Sequence, residues 1–220
     1  MKPRASTSKR GVFHSRKRND LASPAVARDQ ARIGVQLVAF NKPYGVICQF
    51  TGDGPHQTLA NFIHIPDIYP AGRLDTDSEG LLLLTNHGRL QNWISNPVHK
   101  LAKTYWAQVE GELDDRAIDR LCAPLDLGDF ITVPGRVRRI PAPPDLWERV
   151  PPIRQRAAIP TSWLEITLSE GKNRQVRRMT AKVGFPTLRL IRASIGPIGL
   201  NQLHPGQSRA IGLTEIGYAK

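Results

Sequence analysis

The chain has only two cysteines, Cys48 and Cys122, far apart and in no ligand-spaced pair. That excludes a zinc site of the usual spacing and points to a reducing compartment. No apolar run approaches the ~20 residues that a membrane-spanning helix needs. The N-terminus lacks the apolar core of a signal peptide, so the chain is expected to be soluble and cytoplasmic, with no membrane partner. No Gly-rich turn follows a first strand, which removes the nucleotide-type cofactor site of an RNA methyltransferase. Acidic residues are scarce, with 19 Asp and Glu against 31 Lys and Arg.

The resulting net charge of +12 is concentrated. Residues 1–30 hold eight Lys/Arg against Asp20 and Asp29, and residues 171–192 hold seven with no acid, leaving the remainder close to neutral. Two basic segments on a near-neutral body suit a polyanion such as RNA or DNA. Residues 1–32 are rich in Ser, Arg, Lys and Ala without periodic apolar positions, and are expected to be disordered when free. Such a tail adds phosphate contacts without reading sequence. At 220 residues the chain can bury a substantial core as one domain or two small lobes.

The acids that remain are clustered. Ala71-Gly72-Arg73-Leu74-Asp75-Thr76-Asp77-Ser78-Glu79-Gly80 places three carboxylates within five residues, and four leucines follow before Thr85-Asn86. The leucines read as a short buried strand, so the acids sit on a loop pinned to a core element, a common setting for chemistry. Asp75, Asp77, Glu79 and Gly80 also fit the opening of an EF-hand calcium loop. The twelfth position, which needs a bidentate Glu, is Asn86, and the loop's second half is apolar. No metal site is expected.

Gly72-Arg73-Leu74-Asp75, followed by Asp77-Ser78-Glu79-Gly80-Leu81, resembles the signature loop of the ribosomal RNA pseudouridine synthases of the RsuA/RluE type. Asn41-Lys42-Pro43-Tyr44-Gly45-Val46 is similar to that family's opening strand-turn. Lys103-Thr104-Tyr105 resembles its second motif, and Glu170 to Met179 its third. Within residues 33–220 the resemblance implies an α+β catalytic domain. Its twisted, mostly antiparallel sheet would be split into two lobes with flanking helices and a central cleft. It implies Asp75 as the catalytic carboxylate, Arg177 as the cation facing it, Tyr105 against the base and Leu190 over the base's other face. Arg73 would fill the gap left by the target nucleotide, and Lys103, Lys172, Arg174, Gln175, Arg178 and Arg192 would bind RNA. Cofactors are not needed, because the reaction involves no redox change, phosphate transfer or metal. The thirty-odd residues expected to be disordered leave no room for the small S4-type module many relatives carry, which favours the RluE-like large-subunit branch acting on 23S rRNA over a 16S enzyme. A monomer is expected. The rival of another class is a non-catalytic ribosome-associated RNA-binding protein, which would gain nothing from carboxylates that repel phosphates.

Periodicity and punctuation give the elements. Leu37–Phe40 and Val46–Phe50 read as a hairpin-like pair around the Asn41–Gly45 turn. Thr58 caps a short helix, and Asn86 caps another carrying Leu90, Trp93 and Ile94. Residues 103–109 alternate as a strand, and a helix starts at or beside Asp114. Strands are expected near 130–133, 136–140, 161–169, 185–195 and 209–213. The proline-rich residues 141–160 read as an irregular loop, with Arg149, Arg154 and Arg156 offered as an RNA-touching rim. On a helix through Gln175, the residues Val176, Met179, Thr180 and Val183 share one face. Arg174, Arg178 and Lys182 are expected on the opposite face, toward solvent or RNA, and Arg177 at the boundary between them.

Overall fold

The computed structural model describes residues 34–52, 54–153 and 159–218. The first 33 residues, with the expected disordered tail, lie outside the described part, as do Arg154 and Arg156 of the expected rim.

Among the described residues, one nine-stranded mixed sheet carries three α-helices. Its strands are β1 (Leu37–Lys42), β2 (Tyr69–Pro70), β3 (Glu79–Thr85), β4 (Lys103–Glu110), β5 (Arg136–Ile140), β6 (Thr161–Leu168), β7 (Thr187–Ile195), β8 (Ile198–Gly199) and β9 (Ser208–Ala210). The helices are α1 (Gly88–Ser95), α2 (Asp115–Cys122) and α3 (Gln175–Lys182). The order across the sheet is β5-β6-β4-β7-β3-β1-β9, with β2 beside β3 and β8 beside β7. All pairings are antiparallel except β3 with β7.

The exception divides the sheet into halves. β3 and β7 meet through two residue pairs only, Glu79 with Ile191 and Gly80 with Arg192. At this seam Gly80 has φ +104°, and a Cβ there would lie 2.4 Å from the Arg192 carbonyl oxygen. Only glycine lets the two backbones approach so closely.

The leucine run is a strand with every residue buried. Leu81 and Leu83 enter one core with Ile94, Ile191 and Ile195, whereas Leu82 and Leu84 enter another with Phe40, Leu59 and Ile63. Successive strand side chains point to opposite faces, so a strand covered on both faces reads as an unbroken apolar run. A third cluster joins Ala107 and Val109 of β4, Leu164 and Ile166 of β6, and Val176 and Met179 of α3.

Several expected elements differ. Residues 46–50 do not pair with β1, whose neighbours are β3 and β9. They form one bridge, Ile47 with Thr58, and turn inward, burying Val46 and bonding Cys48 to Leu74. The hairpin reading fails because β1 finds a longer apolar partner in β3. The strand near 130–133 is one bridge, Asp126 with Ile131. Helix α1 is capped by His87, whose Nδ1 accepts from Leu90 N, while Asn86 Oδ1 accepts instead from Gln36 N. Asp114 caps α2 as expected, accepting from Ala117 N at 2.7 Å.

Candidate active site

A cavity of about 660 Å³ opens across the seam. Residues 71–78 form one wall, Lys103, Tyr105, Leu168, Leu190 and Arg192 the floor, and residues 170–176 the other wall. The acidic loop between β2 and β3 is clasped from behind by the Asn41–Val46 turn. Gly45 N donates to Thr76 O at 2.8 Å, and the Cys48 thiol donates to Leu74 O while accepting from Leu74 N. Ser78 N closes the turn on Asp75 O at 3.0 Å. Below the clasp Lys42 is wholly buried, and its ammonium donates to Pro43 O and Val46 O. Burial pulls its pKa down to about 8.

The two aspartates of the loop have different surroundings. Arg174 grips Asp77 with both branches of its guanidinium, at 3.0 and 2.8 Å, and lies 3.6 Å from Asp75 Oδ2. Arg177 also belongs to Asp77, with Nη2 donating to its carbonyl at 2.6 Å and Nε 3.4 Å from Oδ2. Burial alone would raise the Asp77 pKa, but the Arg174 bonds and the Arg177 charge outweigh it and hold the carboxyl below its ordinary value. Asp75 lines the cavity and, among the described residues, has one longer ion pair, to Arg174.

The arginines thus divide otherwise than a helical wheel predicts. Arg174 precedes the helix as its N-cap, in the left-handed region at φ +50°, so it leaves the stripe with Arg178 and Lys182 and turns into the site. Its neighbour Arg177, expected to face Asp75, bonds Asp77 and Thr187 O from behind the cavity wall. Burial lowers the Arg177 pKa, with Asp77 acting in the opposite direction. Arg178 is turned away from the cavity, paired with Asp129, bonded to Leu127 O and stacked 5.0 Å over Phe130.

The other predicted residues do line the cavity. Tyr105 and Leu190 are buried on its floor, while Arg73 and Lys172 are exposed at its rim. Gln175 is buried and organises the far wall, accepting from Lys172 N and donating to Glu170 Oε1. Lys103 and Arg192 are 9% and 5% exposed. Lys103 Nζ donates to Leu101 O, and Arg192 donates to Leu81 O and Arg73 O. Burial and the neighbouring Arg192 both lower the Lys103 pKa.

Sequence reasoning missed a buried ion pair directly behind the loop. Arg189 grips Glu79 through two bonds of 2.8 Å, and Trp147 Nε1 donates to Glu79 Oε2 at 2.7 Å. A Glu between a loop and an apolar strand signals that a buried charge needs a partner. The partner, 110 positions away, had no local signal. Arg149, expected at an RNA rim, stacks 4.3 Å over Tyr44 and donates to Pro151 O and Pro152 O.

With this geometry in view, residues 36–182 match the family model described as RNA pseudouridylate synthase. A Xanthomonas campestris protein named ribosomal large subunit pseudouridine synthase E is 53% identical over 175 residues, covering 79% of this chain and 94% of the relative. A Vibrio parahaemolyticus protein of the same name is 52% identical over 178 residues, covering 81% and 74%. Among solved structures, one titled crystal structure of pseudouridylate synthase aligns with TM-score 0.67 at 26% identity, covering 83% of this chain and 73% of that one.

Proposed function

The chain belongs to the RNA pseudouridylate synthase family, and on that premise we propose that it isomerises one uridine of 23S ribosomal RNA to pseudouridine, with Asp75 as the catalytic carboxylate. The observation that carries the assignment is the asymmetry between two aspartates on one loop. Asp77 spends both oxygens on Arg174, whereas Asp75 faces the cavity with a single cation 3.6 Å away. The relatives named for the large ribosomal subunit support the 23S target. That substrate places the work in the cytoplasm.

The reaction breaks the bond from uracil N1 to ribose C1′, turns the base, and joins C5 to the same carbon. Whether Asp75 adds to the sugar carbon or removes a sugar proton, it must act as an ionised carboxylate, and Arg174 supplies the charge beside it. The target nucleotide has to leave its stack to reach the floor. There Tyr105 and Leu190 offer two apolar surfaces for the base, while Arg73 stands at the rim where the nucleotide enters.

Purified wild type and Asp75→Asn are to be incubated with deproteinised 23S and 16S rRNA, and pseudouridine mapped under single-turnover conditions. We expect one new site in 23S rRNA with wild type and none with Asp75→Asn, whose RNA affinity holds or rises because a phosphate-repelling charge is gone. Pseudouridine from Asp75→Asn removes Asp75 from the chemistry, and a site in 16S rRNA alone corrects the target.

A further inference from the structure

Two buried cations, Lys103 and Arg192, stand on the cavity floor. Lys103 and Arg192 stand on neighbouring strands, on the face that carries Tyr105, whose Cα partner is Arg192. Among the described residues, neither has a carboxylate within salt-bridge distance. Lys103 uses one of its three donors, on Leu101 O. Arg192 spends Nε and Nη1 on carbonyls, and its Nη2 is buried with no acceptor. Buried charges are ordinarily paired, because desolvating an ion without compensation is costly. Among the described residues nothing supplies the missing negative charge, which leaves the substrate to bring it.

We propose that Lys103 and Arg192 form the subsite that holds the carbonyl oxygens of the departing uracil anion. This rests on the synthase reading. When the N1–C1′ bond breaks, its electron pair leaves with the base, and the negative charge spreads over N1, O2 and O4. The base is neutral again once C5 has bonded to C1′ and lost its proton and N1 has gained one. Donors fixed in advance where charge develops stabilise that step most, because they need not reorganise as it forms. The surroundings favour a base over a phosphodiester. Both cations lie beside Tyr105 and Leu190 at less than a tenth exposure, whereas the exposed Arg73, Lys172 and Arg174 already stand where the RNA backbone would cross the rim.

The test compares uridine with 5-fluorouridine at the target position of one RNA, in single turnover at saturating enzyme, reading loss of the N1–C1′ bond. Fluorine withdraws electrons and makes the base a more stable anion, so an enzyme lacking the subsite should need it less. Lys103→Met is expected to slow uridine conversion roughly 10²-fold with RNA affinity unchanged, and to lose several-fold less with 5-fluorouridine. Lys103→Arg should restore most of the uridine rate. Arg192→Gln should behave as Lys103→Met does, and if loss of its bonds to the acidic loop unfolds it, the Lys103 pair alone decides. Equal losses with both bases overturn the proposal. A defect confined to affinity, with a shallower salt dependence, also overturns it and makes the pair a phosphate seat. Wild type that cleaves neither RNA removes the synthase reading, and the subsite with it.

Discussion

Asp77 shows how much a single carboxylate can organise. It receives the fork of Arg174 on its side chain and Arg177 on its carbonyl, so two guanidiniums are oriented by a residue that itself has no free oxygen for chemistry. Asp77→Asn would leave Arg174 without its anchor beside Asp75. Displacements of about an ångström in a catalytic group cost on the order of 10²-fold in rate, and a loss of that size is expected in single turnover with the fold intact. Unchanged rates would mean that Arg174 holds its place without Asp77. The stability effect has a defined pH sign. The Asp77 pKa is lowered in the folded state, so its contribution is fully present above the unfolded value and is lost as pH falls through the folded one. The difference in urea midpoint between wild type and Asp77→Asn should therefore be present at neutral pH and close in acid below about pH 4.

At the scale of elements, the site depends on how β3 meets β7. Asp75 reaches the cavity because its loop ends where β3 begins, and Arg192 because β7 runs parallel to β3 at that point. Gly80 makes the contact possible, since an added Cβ would meet Arg192 backbone atoms at 2.4 and 2.7 Å. Gly80→Ala must either push the strands apart or adopt φ +104°, which L side chains resist. A loss of more than about 3 kcal/mol is expected, read as a lowered unfolding midpoint, with activity falling further than the folded fraction does. A midpoint within experimental error of wild type would show that the seam yields freely. Trp147 braces the same place, bonded to Arg189 and to Glu79, which stands two residues from Asp77.

For the whole molecule, charge placement governs how RNA is met. The cavity presents Arg73, Lys172 and Arg174 at its rim, and a second block of positive charge stands in residues 1–30. Phosphate contacts of this sort add affinity that weakens with salt and carries no sequence information. Deleting residues 1–32 should raise the Michaelis constant for rRNA and flatten its dependence on salt, while the single-turnover rate at saturation stays within error of the full chain. A fall in the saturating rate would place that segment in the chemistry. Among the described residues no helix is long and apolar enough to cross a membrane.

Local physics encodes part of this fold in the order of residues alone. Four leucines in a row specified a strand covered on both faces, Asp114 specified a helix start, and the bracketed acids specified a loop on a core strand. The motif resemblance covered the family and its fold. Tertiary structure decided the long-range pairings. The partner of β1 is a strand about forty residues on rather than the next segment, because burial of the leucine run outweighs the short turn. The distribution of arginines between Asp75 and Asp77 was also beyond the sequence. One left-handed residue, Arg174, takes the chain off the helical wheel before the helix begins, and no periodicity argument carries across such a residue. The union of Glu79 with Arg189, and of Lys103 with Arg192, follows from which strands lie side by side, so those buried charges acquire their meaning only when the sheet closes.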